Sequence, residues 1–234
     1  MFKKILYPKV TQEEMEIIQE ISSLRPVPNR AIDQIYMKPI CMLWQIKLIA
    51  PYLDNKELIF MGDGDHISVL CGIYARPKSI TVLDIDSRIV RSVREIGKEY
   101  NINIDTFQYD VLKPLPREFL RRFNFFYTNP PYGSKNAGKS GIIFISRCIE
   151  ACKFPSEGCI VLPHDNERKW TKEVMENIQK FLLDQGWIIV EKLVGLHTYY
   201  LDDTTLASGT MIVEQIKNIK SPIEGKSVKF VNLY

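Results

Sequence analysis

The chain reads as an α/β protein built on a mostly parallel, seven-stranded sheet, with helices on both faces and an antiparallel hairpin at the end. Three observations carry this expectation. Short apolar, β-branched or aromatic runs alternate with helical patterns from residue 57 to residue 185. Several of these runs stop on Gly, Asp or Asn-Pro, the residue types that hold ligands at the carboxyl ends of parallel strands. The last two β-rich stretches, 187–196 and 206–216, follow one another without a helix between them, which requires an antiparallel pair.

The elements follow in order. Residues 11–24 form an amphipathic helix, with Thr11 as N-cap and Glu14 three residues later completing a capping box. The prolines of 25–29 make a linker, and a second helix starts near Pro39, suited to a first helical turn, and ends before Pro51. A strand at 57–61 leads into Gly62-Asp63-Gly64-Asp65 and a helix from His66 to Tyr74. A strand at 79–83 ends in Asp84-Ile85-Asp86, with a helix over 87–100. A strand at 102–108 ends near Tyr109-Asp110, and another at 123–127 runs into Asn129-Pro130-Pro131-Tyr132. A helix at 142–152, a strand at 159–162 and a helix at 168–185 precede the hairpin, and the last dozen residues read as a loose tail. The implied organisation is an N-terminal helix and linker (1–37), a catalytic domain (38–218) and a C-terminal tail (219–234).

Composition excludes several classes. Hydrophobic content of 45% and charged content of 25% over 234 residues are ordinary globular values. No apolar run approaches the roughly 20 residues that span a bilayer, and residues 1–10 make a poor signal peptide, so a cytoplasmic protein with no membrane partner is expected. The net charge is +3 without a dominant basic block; Lys113, Arg117, Arg121 and Arg122 read as a solvated face that permits nucleic-acid contact without arguing strongly for it. The five cysteines are odd in number and sit in apolar segments, as reduced thiols do. Cys148, Cys152, Cys159 and His164 lack the paired spacing of a metal site, and no metal is expected.

The strand ends carry the chemistry. Gly62 and Gly64 allow close backbone approach to a ligand, while Asp63 and Asp65 would repel a pyrophosphate and suit a cationic nucleoside or an amine. The lesser alternative is that Asp65 simply caps the next helix. Asp84, about 20 residues on, is placed to accept both ribose hydroxyls, with Ile85 beside it and Asp86 as the N-cap of the following helix. Asp110 and Val111 are placed to meet an adenine, through a carboxylate and a backbone N–H. In Asn129-Pro130-Pro131-Tyr132 two prolines hold an amide, free carbonyls and an aromatic ring in a rigid loop suited to gripping an amine. Of the remaining residues, His66 reads as a surface histidine at a helix start, His164 as a rim residue that could touch substrate, and Trp170 and Trp187 as packing residues. Tyr199, Tyr200, Asp202 and Asp203 read equally as cleft or as solvated loop.

Taken together, Gly62-x-Gly64, Asp84, Asp110 and the proline loop resemble the Rossmann-like class I S-adenosylmethionine-dependent transferases, whose sheet ends in such a hairpin. A closer resemblance spans about residues 25–200. The stretches 28–34, 62–65, 82–88, 109–116 and 129–132, with Phe144-Ile145-Ser146-Arg147 and Lys169-Trp170, look like the catalytic domain of the branched-chain polyamine synthases. That resemblance implies aminopropyl transfer from decarboxylated S-adenosylmethionine to a small-molecule polyamine nitrogen, in a chain with almost no room for the N-terminal helical domain of full-length members. It departs at two positions: Gly64 stands where the family has the middle of three aspartates, and Asn129 where its proline loop begins with Asp. The Asn-led loop is instead similar to amino-methyltransferases that use S-adenosylmethionine on adenine, cytosine or glutamine, and Tyr36 lies in a segment loosely like the entry segment of adenine methyltransferases. Under that alternative nucleic acid becomes a partner. A non-catalytic nucleoside-binding module is the third reading, and homo-oligomerisation is left open.

The expected catalytic residues are Asn129, Pro130, Tyr132 and Asp65. Gly62, Asp63, Gly64, Asp84, Ile85, Asp110 and Val111 are expected to hold the donor, and Pro131, Tyr36 and His164 the acceptor.

Overall fold

The computed structural model describes residues 7–165, 168–200, 206–230 and 233–234. Helix α1 (Gln12–Ser23) starts at the Thr11 capping box, with the Thr11 side chain accepting from Glu14 N and the Glu14 carboxylate accepting from Thr11 N. Helix α2 (Pro39–Ile49) follows, with Pro39 in its first turn. Then come β1 (Glu57–Met61), α3 (Ile67–Tyr74), β2 (Ser79–Asp84), α4 (Ser87–Glu99), β3 (Ile104–Gln108) and β4 (Phe123–Thr128). The second half holds α5 (Lys139–Ala151), β5 (Cys152–Pro163), α6 (Lys169–Asp184), β6 (Trp187–His197) and β7 (Ser208–Gln215). Strand β5 begins seven residues before the expected start, and its first residue pairs with Phe123 across a register shift.

The seven strands lie in the order β3-β2-β1-β4-β5-β7-β6. The first five are parallel, while β7 runs antiparallel between β5 and β6 and closes the expected terminal hairpin. Strand alternation sorts the core into two layers. Leu58, Phe60, Phe125 and Tyr127 face α1–α4, whereas Ile59, Met61, Phe126 and Ile160 face α5 and α6. Each such fully buried side chain contributes about 1.5–3 kcal/mol, so both layers hold the sheet from opposite sides. The order of β1 and β4 at the centre is the topological switch, and the ends of β1, β2 and β4 open there together.

The segment after β7 is not loose. Arg147 on α5, fully buried, pairs with Glu150 at 2.9 Å and also donates to the carbonyls of Val111, Ile223 and Lys226. Val228 N donates to Leu112 O, Ser140 Oγ donates to Leu233 O, and Ile223, Val228 and Phe230 pack on the α5–α6 layer. A buried guanidinium satisfied by carbonyls from two distant segments has no signature in local sequence pattern, which is why the tail reads as free. Among the described residues no helix is long and apolar enough to cross a membrane.

Arg147→Met should therefore destabilise the protein by about 3–5 kcal/mol, because it leaves the Glu150 carboxylate buried and unpaired. The double variant Arg147→Met/Glu150→Leu should recover about half of that loss in urea denaturation. A double variant no more stable than the single one would show that the unpaired charge is not the cause.

Candidate active site

Gly62 ends β1 with φ +77°, a left-handed conformation that favours glycine, and its N–H donates to Leu83 O on β2. The chain then turns through Asp63, Gly64 and Asp65 above the sheet. The Asp63 carboxyl accepts from the backbone N and the hydroxyl of Ser68, so it caps the start of α3. Burial pushes its pKa well above the ordinary carboxylate range. Its backbone N–H donates to Asp84 Oδ2 at 2.9 Å, and Asp86 N donates to Asp84 Oδ1 at 2.8 Å. Burial outweighs these two bonds and raises Asp84 to about 6. Asp86 caps α4 as expected, accepting from Arg88 N.

Asp65 does not cap α3. Its Oδ1 accepts from Met37 N at 2.7 Å and lies 3.6 Å from the buried Arg25 guanidinium, while its Oδ2 accepts from Asn129 Nδ2 at 3.0 Å. An ionised carboxylate only accepts, so this contact sets the Asn129 amide with its Nδ2 toward Asp65 and its Oδ1 free for the cavity. Arg25 also lies over the Tyr36 ring at 4.6 Å, and the Tyr36 hydroxyl donates to Pro26 O. Gly64 makes room for that ring, since a Cβ there would lie 3.3 Å from Tyr36 Cε1.

The strand ends and the proline loop enclose one cavity of about 240 Å³. Its wall brings together Tyr36, Gly62, Asp63, Gly64, Asp65, Asp84, Ile85 and Val111 with the whole Asn129–Tyr132 loop. Two expected residues stand apart from it. Asp110 does not line the cavity: its Oδ1 turns back to accept from Leu112 N, and its neighbours Tyr109 and Val111 reach the wall instead. His164 lies in a separate shallow cleft with Lys172 and Lys192, where partial burial and Lys192 lower its pKa.

Other residues are placed differently from their sequence reading. His66 is not on the surface: it is fully buried, in a left-handed conformation, with Nε2 2.9 Å from Ser92 Oγ. Trp187 is core, but Trp170 lines the cavity. Tyr199 lines it too, whereas Tyr200 is exposed, and Asp202 and Asp203 lie outside the described residues. All five cysteines are buried free thiols.

Sequence reasoning also missed Asp33, Tyr127 and Tyr234. Asp33 lines the cavity after a short helical turn, in a left-handed conformation. Tyr127 follows from strand alternation alone, but its buried hydroxyl, without a hydrogen-bond partner among the described residues, does not. Tyr234 comes from the packed C-terminal segment, near enough to Asp84 and Asp110 for their charges to raise its pKa alongside burial. This side of the cavity is a tertiary product. Met37 pairs with Tyr199 as an isolated antiparallel bridge, with Lys38 N donating to Thr198 O and Tyr200 N to Tyr36 O.

Comparison with known proteins places this geometry in a lineage. Residues 13–230 match the family described as branched-chain polyamine synthase A C-terminal domain. The chain belongs to that family. An N(4)-bis(aminopropyl)spermidine synthase of Methanocaldococcus jannaschii is 34% identical over 200 residues, covering 82% of this chain and 54% of that protein. Its namesake in Thermococcus kodakarensis is 30% identical over 193 residues, covering 81% and 53%. The chain thus spans about half the length of the curated relatives it matches.

Among solved structures, the branched-chain polyamine synthase of Thermus thermophilus, in complex with N4-aminopropylspermidine and 5′-methylthioadenosine, aligns with a TM-score of 0.79 at 24% identity. The alignment covers 93% of this chain and 67% of that one. A putative RNA methyltransferase of Pyrococcus horikoshii aligns with a TM-score of 0.67 at 17% identity, over 88% and 100%. At these identities the likeness is one of fold, and the fold is the class I methyltransferase-like architecture expected above.

The Asp65–Asn129 contact makes a prediction. Asn129→Asp sets two carboxyls at hydrogen-bond distance, so one of them must hold a proton with its pKa raised above the unfolded value of about 4. The folded state then binds the extra proton, so the variant should match wild-type stability near pH 4 and lose it as pH rises. The deficit should reach about 1–3 kcal/mol at pH 8. Urea denaturation at both pH values measures this, and equal deficits at both would show that the two groups do not couple.

Proposed function

We propose that this chain transfers an aminopropyl group from decarboxylated S-adenosylmethionine to a nitrogen of a polyamine. The observation that carries the reading is the carboxyl-rich lining of the cavity. Asp33, Asp63, Asp65 and Asp84 line it, and no Lys, Arg or His is among its described lining residues. A sulfonium nucleoside with an aminopropyl chain carries positive charge at its sulfur and its terminal amine and no negative charge, and it suits such walls. The methionine carboxylate of S-adenosylmethionine would enter beside these carboxyls without a cationic partner. The names of the relatives, which cover over four-fifths of this chain, support the same donor and acceptor class.

In this reading Asp84 receives the ribose hydroxyls, Ile85 and Val111 flank the base, and Gly62 lets the backbone approach the nucleoside. Asn129 Oδ1 and the Pro130 carbonyl accept N–H bonds from the attacking amine, and Tyr36 and Tyr132 wall it in. The nitrogen lone pair forms the new C–N bond as the C–S bond breaks and the thioether leaves. The positive charge passes from sulfur to nitrogen, so no net charge is created, and the surplus proton leaves afterwards to solvent. What the residues supply is orientation of a neutral amine along the C–S axis. Asp65 is held by Met37, Arg25 and Asn129, and so acts by fixing Asn129.

Two outcomes check this. Asn129→Ala should abolish turnover while leaving 5′-methylthioadenosine affinity within about tenfold, and tight selective binding of S-adenosylmethionine over its decarboxylated form would point instead to methyl transfer. Because Asp84 titrates at about 6 and ribose hydroxyls bind its ionised form, 5′-methylthioadenosine affinity should be level above pH 6 and fall below it. Calorimetry with Asp84→Asn should give weak, pH-independent binding. A pH dependence that survives in that variant would assign the titration to another group.

A further inference from the structure

Tyr132 is the end of a chain of buried hydrogen bonds that the transfer chemistry leaves unexplained. Its hydroxyl lies 2.7 Å from that of Tyr199, which in turn lies 2.7 Å from Ser208 Oγ. Ser208 Oγ is 2.9 Å from His197 Nδ1, and His197 Nε2 is 2.7 Å from Gln45 Oε1. Gln45 Oε1 also accepts from Thr210 Oγ1 at 2.5 Å. Gln45, His197, Ser208 and Thr210 are all at most 1% exposed. Helix α2 and strands β6 and β7 thus deliver one continuous polar thread to the cavity wall.

Such a thread has a direction. The two contacts at Gln45 Oε1 are shorter than the roughly 2.9–3.0 Å common for amide N–H donors, which suits an oxygen there, and the Gln45 amide nitrogen faces Cys159 Sγ at 3.2 Å. An amide oxygen only accepts, so His197 Nε2 carries the hydrogen. Burial without a carboxylate partner pushes the His197 pKa down to about 3, so the ring is neutral and its Nδ1 is bare. Nδ1 must then accept from Ser208, Ser208 from Tyr199, and Tyr199 from Tyr132. Burial raises both phenols, so each keeps its one hydrogen for its neighbour. The Tyr132 hydrogen is spent inward, and a lone pair of its oxygen is what remains for the cavity.

We propose that Gln45, His197 and Ser208 are positioning residues that orient the Tyr132 hydroxyl as a hydrogen-bond acceptor for the N–H of the substrate amine. The proposal rests on the amine-acceptor reading and deepens it. With Asn129 Oδ1 and the Pro130 carbonyl, it adds a third acceptor for the N–H groups of the amine substrate. A polyamine, with N–H groups on several nitrogens, meets them, whereas a bare ring nitrogen or a carbonyl would meet only lone pairs. His197 is too weak a base to end the thread as a proton sink, so the thread orients and does not deprotonate.

Nitrogen NMR of histidine-labelled protein reads the direction without any substrate, and the chain has only three histidines to assign. The Nε2–H tautomer is expected for His197 in the wild-type protein, and the Nδ1–H tautomer would overturn the proposal. Calorimetry with spermidine, in the presence of 5′-methylthioadenosine, reads the consequence. Ser208→Ala releases Tyr199 to donate back to Tyr132, so spermidine affinity should fall about tenfold while 5′-methylthioadenosine affinity stays within about twofold. Ser208→Thr, which keeps the hydroxyl, should restore most of the loss. Unchanged spermidine affinity in Ser208→Ala, or equal losses for both ligands, would also overturn it. Wild-type protein that binds 5′-methylthioadenosine but not spermidine would defeat the polyamine reading itself, and the histidine tautomer would still decide the thread.

Discussion

The Asp65 carboxylate is where three separately built parts of this protein meet. One oxygen takes Met37 N from the linker before α2 and faces Arg25, and the other takes Asn129 Nδ2 from the loop after β4. Burial alone would make a charge there costly, and its pKa is indeed raised. The backbone N–H, the guanidinium and the amide offset that cost together. The linker, the turn after β1 and the proline loop are consequently held in one relation, and the cavity between them has a defined shape. The fully buried side chains of the two core layers hold the sheet; this polar junction holds the site.

The same economy runs through the polar groups around the cavity. Asp63 is spent on the start of α3 and Tyr36 on Pro26 and Arg25, while Asp84 takes one backbone N–H on each oxygen and keeps its other lone pairs. What remains for a ligand is a small set of acceptors on acidic walls. The two positions at which the resemblance departs also fit the packing of this site. Gly64 gives up a carboxylate and leaves the space that the Tyr36 ring fills. Asn129 gives up another, and its amide meets Asp65 without the shared proton that an aspartate would require.

Much of the fold was legible because it is local. The capping box at Thr11, the proline at the start of α2, the Asp86 cap, the apolar run of β1 and the β-branched run of β2 act within a few residues of themselves. Asp110 and His66 were misplaced for the converse reason. The Asp110 carboxylate serves its own turn through Leu112 N, and His66 is buried by Ser92 on α4, reached only through the fold. The packed C-terminal segment hangs on Arg147, whose carbonyl partners are 36 to 79 positions away in sequence.

By itself, the sequence determined the parallel sheet with its terminal hairpin, the strand ends that face the cavity and the residue types that stand there. Periodicity, caps and glycine or proline punctuation are short-range effects and can be read in place. Only the tertiary structure decided which of those groups remain free. It turned Asp63 inward, joined Asp65 to Asn129, brought Tyr199 against Tyr132 and closed the cavity with Trp170 and Tyr234. Hydrogen-bond capacity is used up by partners that burial brings together, and burial depends on the whole chain.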